Sequence, residues 1–515
     1  MKSKLYGAFR SAELYECFEL DPGADIRSIF GKIGGFGLHT ERCGVFYFVH
    51  AIIDRLYVRP NVANDFSELI IMFSKLLSNE YVELLKKTLF NCILYPVCED
   101  AEVIRNISGL YLIKNLIKNG FFTLFDLIES MNKFHFWKRT NIVSRSIVFI
   151  FFAPEIDSIS RTMFDSYYSG IVEIMRNPDN STPSWASNFI SFFSRSIDEL
   201  RQNQWFLLNG CFSRFSIPDS IVDVVRRDDI DQFTIMSSSP MFNINEKIDV
   251  LAFEPAKILM NSPSIVNLAC YYGSIKIFKY LLLNKVKVSS IDDKQIGIAT
   301  FAFSGGNLDI IHELFSLGYL FGSEEFEYSI LFRREDIINW VFEQNFINDN
   351  EKVEFFLKKS IEYRNFLVYK NFAEFSSTID QDSMNDCINN QSFPILSDLL
   401  DNGIIDSKQL CSKSVIAEAL RFGLTDIVEL IMRHQNSNVE DYISIIAAHS
   451  TRSFLSVFLS ESPSLIHCMN NDRSLLSFAV YGDNISVIQY LLSYQHNCPN
   501  WSFADVYFSI LIIPF

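Results

Sequence analysis

The cluster Gly31-Lys32-Ile33-Gly34-Gly35-Phe36-Gly37 is the first place along the chain where residue type and spacing invite chemistry, because glycines let backbone N–H groups close around a phosphate. No Gly-Lys-Ser/Thr end follows, and the spacing matches neither the P-loop nor the dinucleotide fingerprint. A flexible loop between helices is expected there. His39 and Cys43 are four residues apart, and His496 and Cys498 two apart. Each pair resembles half of a zinc site, yet neither has a second pair to complete it, and no metal or other cofactor is expected. The carboxylate pairs Asp228-Asp229, Asp292-Asp293 and Glu324-Glu325 are adjacent in sequence, so on a helix their side chains diverge. They read as solvated loops or caps. Serine, cysteine and histidine occur without a Gly-x-Ser-x-Gly elbow or any other placed nucleophile, so no enzymatic activity is expected.

The composition bounds what the elements around these residues can be. Of 515 residues, 49% are hydrophobic and 21% charged, with 49 Phe but only 20 Gly and 14 Pro. So few breakers make helix the default reading, and the length calls for two or more domains or an extended repeat array. With 45 basic and 61 acidic residues the formal charge is −16, so the average surface repels phosphate backbones and nucleic acid is not an expected partner. Runs such as Trp137-Lys138-Arg139 are too short to reverse this. The ten cysteines include no pair at the two-residue separation of zinc ribbons and redox sites. Reduced thiols, a first segment without a signal-peptide core and idle sequons such as Asn180-Ser181-Thr182 together predict a cytoplasmic protein. The longest apolar run, Ile147 to Ala153, stops at Pro154. It falls well short of the roughly 18 to 20 apolar residues of a membrane-spanning helix, and a buried strand or helix segment is expected instead.

In the first half, Asn64-Asp65 opens a stretch with Phe66, Leu69, Ile70, Phe73, Leu76 and Leu77 at helical spacing, closed by Ser78-Asn79. Asp100 is placed to cap a second helix whose face carries Ile104, Ile107, Leu110, Tyr111, Leu116 and Ile117, with Asn119-Gly120 as its stop. Residues 1–215 are therefore expected to form a helical domain packed against the first repeats, the alternative being a solenoid of another helical-repeat type.

The second half repeats itself. Ala269, Gly273, Ile277 and Leu281 recur as Ala302, Gly306, Ile310 and Leu314, 33 residues later. A third copy runs Ala419, Gly423, Ile427, Ile431. A fourth runs Ala479, Gly482-Asp483, Val487, Leu491, where the displaced glycine reads as a turn shifted by one residue. Weaker copies of the second-helix pattern begin at Ile337, Phe366, Ile395 and Phe454. A small alanine lets a neighbouring repeat approach and favours helix, glycine ends the first helix in the left-handed conformation, Asn or Asp opens the second, and Ile-x-x-x-Leu gives that helix one apolar side.

With their 33-residue period, these motifs resemble the ankyrin-repeat family, and in particular its divergent, Phe-rich members expanded in some parasitic protists. The likeness is closest over residues 219 to 320, including the lead-in Val224 to Phe233, and continues more weakly to about residue 500. The family's Thr-Pro-Leu-His box is largely lost. Ser264-Ile265-Val266-Asn267, Ser414-Val415-Ile416-Ala417 and Ser474-Leu475-Leu476-Ser477 stand in its place, and Gly297-Ile298-Ala299-Thr300 in the second copy; serine can still cap, but the box's histidine network does not carry over.

The resemblance implies an all-α protein: an N-terminal helical domain over 1–215, a degenerate ankyrin-repeat solenoid with short hairpins over 216–500, and an apolar tail, 501–515, that either folds back as the missing half-repeat or is a truncated repeat. It implies a protein–protein interaction module or scaffold for an unidentified protein partner, the alternative being a targeting adaptor whose N-terminal half recruits or carries a separate activity. Ankyrin stacks recognise partners through hairpin tips and the concave face. The clearest hairpin here, Asn284 to Gln295, offers Lys285, Lys287, Asp292, Asp293 and Lys294 as binding residues.

Overall fold

The computed structural model describes residues 25–40, 42–58, 62–94, 107–133, 140–176, 182, 184–288, 292, 295–344, 350–373, 439–450, 452–470, 473–482 and 484–493, with the isolated positions 387, 392, 395, 398, 399, 416, 417, 420 and 428. Among them the protein is mostly helical, with 24 α-helices. They fall into two compact units, one within Lys32–Phe48 and Ile361–Phe515, the other within Phe18–Gly31 and Val49–Ser360. The boundary expected at residue 215 thus lies inside the second unit. The tail over 501–515, the pair His496/Cys498, Trp137 to Arg139 and most of the third repeat copy lie outside the described residues.

The first ten helices are α1 (Ile26–Gly35), α2 (Arg42–Val58), α3 (Ala63–Ser74), α4 (Asn79–Leu94), α5 (Ile107–Lys118), α6 (Leu124–Lys133), α7 (Thr140–Ile159), α8 (Arg161–Arg176), α9 (Ser184–Gln202) and α10 (Phe206–Arg214). The glycine cluster expected as a loop is instead the end of α1. Ile29 and Ile33 are buried four residues apart, and that apolar stripe keeps Gly31, Gly34 and Gly35 helical. Helix α3 buries Phe66, Leu69, Ile70 and Phe73 as the spacing predicts, but it ends at Ser74 and leaves Leu76 exposed. Helix α5 stops where Asn119-Gly120 said it would, with Gly120 at φ +75. The run Ile147 to Ala153 is buried throughout, which makes α7 the centre of its unit, in contact with α5, α6, α8 and α9. Pro154 does not end the helix, although it offers no N–H to the carbonyl of Ile150. In the same turn Lys114 Nζ donates to Phe151 O at 2.9 Å and to Glu155 Oε1 at 2.6 Å. No described helix is long and apolar enough to cross a membrane.

Helices α11 (Ile221–Arg226), α12 (Ile230–Ser237), α13 (Ile265–Tyr272), α14 (Ile275–Leu283), α15 (Ile298–Gly305), α16 (Leu308–Ser316), α17 (Ser323–Leu331) and α18 (Glu335–Glu343) follow as four consecutive pairs. First helices pack on first helices, α11 on α13 on α15 on α17, and second on second, α12 on α14 on α16. Of the serines proposed as caps, Ser264 does cap, its Oγ accepting from Asn267 N–H, whereas Ser414 lies outside the described residues; one pair earlier Ser220 Oγ accepts from Asp223 N–H in the same way. Between the helices of each pair the chain passes through one left-handed residue, Asp228, Gly273, Gly306 and Arg333, all with φ between 50 and 90. The next residue braces the preceding pair. Ser274 Oγ donates to Val225 O at 2.6 Å, Asn307 Nδ2 to Gly273 O at 3.2 Å and Arg334 Nε to Ser304 O at 2.7 Å. Ala269 and Ala302 are fully buried, and a Cβ on Gly305 would collide with the carbonyl oxygen of Cys270.

A buried polar knot ties this stack to the preceding helices. Arg226 Nη2 contacts Glu254 and donates to Tyr272 Oη at 3.0 Å, while Tyr272 donates to Glu254 Oε2 at 2.5 Å. Tyr111 of α5 donates to Phe253 O at 2.5 Å, amid the rings of Phe151, Phe212 and Phe215.

Helices α19 (Asn350–Glu362) and α20 (Phe366–Ala373) come next, separated by left-handed Arg364 and the capping Asn365, whose Oδ1 accepts from Val368 N–H. In the unit that also holds α20, α21 (Ile443–His449), α22 (Arg452–Glu461), α23 (Leu475–Tyr481) and α24 (Ile485–Ser493) repeat the pairing, α21 against α23 and α22 against α24. A two-residue antiparallel hairpin, β1 (Met469–Asn470) with β2 (Arg473–Ser474), leads into α23, and Ser474 Oγ accepts from Ser477 N–H. Asn484 Nδ2 donates to Ser450 O at 2.6 Å, the same brace again. Gly482 is not a displaced left-handed turn, since its φ is −81; it is a close approach, where a Cβ would meet Ala448 O. The buried anchor of α22 is Leu455, with Phe454 half-exposed.

Candidate protein-recognition surface

The second helices bury one stripe each: Ile277, Phe278 and Leu281 in α14, Ile310, Ile311 and Leu314 in α16, Ile337, Ile338 and Val341 in α18. The far side of such a helix is ordinarily polar. Here the ends of α16 and α18 and the turn between α16 and α17 depart from that. Phe315, Leu317 and Phe342 are each about half exposed, and Leu320 is 90% exposed. Rings knit these residues together: Trp340 lies 5.5 Å from His312, 6.4 Å from Phe315 and 6.3 Å from Phe321, centroid to centroid.

The turn is held from below. Gly318 adopts φ +89, Tyr319 N–H returns to Leu314 O, and Tyr319 Oη donates to Val288 O of the preceding hairpin at 3.0 Å. Phe321 packs at 4.8 Å on the buried ring of Phe303. Leu320 is thus presented to solvent by a pinned turn.

Charge around the patch has one sign. Residues 307 to 344 contain eight acidic side chains and two basic ones. Of the basic pair, Arg333 is buried and Arg334 turns inward to Ser304 O. Asp309, Asp336 and Glu343 are exposed. Partial desolvation, then the charges of Glu325 and Glu327, hold the carboxyl of Glu324 above its ordinary range. Lys279 reaches Glu313 across 3.7 Å from the neighbouring pair.

The charged hairpin picked out from sequence is not assembled as one rim. Lys285, left-handed at φ +58, and Lys287 are exposed, and Lys287 N–H donates to Asn245 Oδ1 at 2.8 Å. Asp292 is 1% exposed, its Oδ1 accepting from Ile296 N–H at 2.8 Å; it closes the turn. Asp293 and Lys294 lie outside the described residues. What sequence reasoning missed was Leu317 to Phe321, an almost wholly apolar turn where turn residues are usually polar, and Trp340, taken only as part of a helix face. His312 is an exposed member of the patch.

A second concavity, of ≈450 Å³, lies along α9. Together with residues of 215–222 and of 248–251 that include Asp249, it is lined by Asn188, Ser191, Arg195 and Ser196 of that helix. These groups can hydrogen-bond an amide or a carboxylate. Elsewhere in that unit Cys92 Sγ and His50 Nε2 lie 3.9 Å apart. Among the described residues no group of three or more His, Cys, Asp or Glu is placed to hold a metal ion. No protein-family model matches the chain, and no curated protein matches it.

Proposed function

We propose that the protein is a cytoplasmic protein-interaction scaffold whose helix pairs form a divergent ankyrin-type stack. The pairing supports the ankyrin reading: a left-handed residue followed by a brace to the previous pair recurs at Gly273-Ser274, Gly306-Asn307 and Arg333-Arg334. The observation that carries recognition is the pinned apolar patch around Leu320, because soluble chains seldom fix large apolar side chains outward without a partner to cover them. Its acidic border is unsuited to phosphate backbones.

A second reading, the adaptor whose N-terminal helices carry a separate activity, is favoured by the cleft along α9, which Asn188, Ser191, Arg195 and Ser196 of that helix line with polar groups. Photo-crosslinking separates the two. With a photoreactive residue in place of Leu320 of the full chain in lysate, the scaffold reading requires protein adducts in excess of those from the same residue at exposed Phe125. Equal yields at both positions, with adducts only at Arg195, would shift the assignment to the adaptor.

A further inference from the structure

We propose that the patch formed by Phe315, Leu317, Leu320, Trp340 and Phe342 receives a basic amphipathic segment of another protein, with apolar side chains on one face and Lys or Arg at its flanks. The inference rests on the scaffold reading and gives it a partner chemistry. Two features of the surface fix that chemistry. The apolar residues are immobilised, Leu320 by the Gly318–Tyr319 turn and Phe321 by Phe303, so a partner's apolar face meets a formed surface and little ordering opposes binding. The border is acidic through Asp309, Asp336 and Glu343, while the two arginines of the region are turned into the stack. Cations on the partner therefore find exposed carboxylates at the rim, which favour encounter and reject acidic competitors. The same charge opposes a second copy of this chain, which would bring like borders together, and opposes an anionic lipid surface.

The test uses the full chain and fluorescent peptides. One is an amphipathic peptide of Leu, Trp, Lys and Arg; its counterpart carries Glu at every basic position. Anisotropy should show the basic peptide binding at least about 10-fold more tightly than the acidic one at low salt, the preference shrinking as salt is raised. Leu317→Ser with Leu320→Ser should weaken it by about 10-fold or more, as should Asp336→Lys with Glu343→Lys, whereas Phe125→Ser on α6 should not. Circular dichroism checks that each variant remains folded. Equal binding of both peptides, lost in the leucine variant, would overturn the charge assignment and leave the scaffold reading intact. Failure of the basic peptide to bind, or binding indifferent to the leucine pair, would overturn the site. Leu320-dependent capture of phosphatidylserine vesicles in place of the peptide, or Leu320-dependent self-association in sedimentation, would assign the patch to a membrane or to a second copy.

Discussion

The side-chain amide of Asn307 donates to the carbonyl oxygen of Gly273, 34 residues earlier, while its Oδ1 accepts from Ile310 N–H at the start of α16. One side chain thus opens its own helix and holds the previous pair. Asn307→Ala should lose both a cap and a brace, about 2 kcal/mol in urea unfolding. Asn484→Ala removes the same two roles in α24. A loss of only a few tenths for Asn307→Ala would mean that the brace contributes nothing.

Glycines at the pair junctions should divide sharply. Gly305→Ala places a Cβ against backbone carbonyls of α13, and because backbone cannot rotate away as a side chain can, a cost of about 3 kcal/mol is expected. Gly297 has extended backbone at the start of α15 and open space around it. Gly297→Ser restores the cap that Ser264 supplies one pair earlier and should raise stability by about 0.5 kcal/mol. Thermal melts of the two variants should move in opposite directions.

Helix pairing was legible wherever the turn residue was glycine, because only glycine announces a left-handed backbone in a sequence. At Asp228, Arg333 and Arg364 the same conformation is held by residues with a Cβ; aspartate tolerates it better than most, but nothing in the type of the two arginines reveals it. Gly482 misled for the converse reason: a glycine can serve close approach without positive φ. Asp292 reads as solvent-facing because it is charged, but the N–H of Ile296 needs its carboxylate. The Leu320 patch was hidden because exposure depends on which side of α16 the following turn folds over, and local spacing does not determine that.

The knot under α11 should respond non-additively. Arg226→Met leaves the carboxylate of Glu254, a side chain 3% exposed, without its cation, at an expected cost of about 3–5 kcal/mol. Adding Glu254→Gln should recover part of that loss. If denaturant titration finds the double variant as unstable as the sum of the singles, the two side chains act independently.

Because the folded-state pKa of Glu324 is raised above its ordinary 4.5, the folded protein binds this proton more readily than the unfolded chain does. The resulting stability is complete below pH 4.5 and lost as pH rises through the raised value. Glu324→Gln should therefore be more stable than the parent at neutral pH, with the gap closing as the pH falls toward 4.5. A gap that widens on acidification would reverse the sign of the assignment.

Thiol labelling should follow burial. Burial pushes the Cys211 thiol up to about 12 and raises that of fully buried Cys270 well above its ordinary value, so neither supplies thiolate at pH 8. Mass spectrometry after alkylation should find both unmodified in the native protein and modified in urea. Half-buried Cys92 and Cys468 should label earlier.

The hydrogen bonds from Ser274, Asn307 and Arg334 each reach back a single pair, so tension applied along this part of the chain is passed from pair to pair through these local ties. Under an optical trap, α11 to α18 should come apart as a series of small, similar extensions, each releasing one helix pair while its neighbours keep their grip.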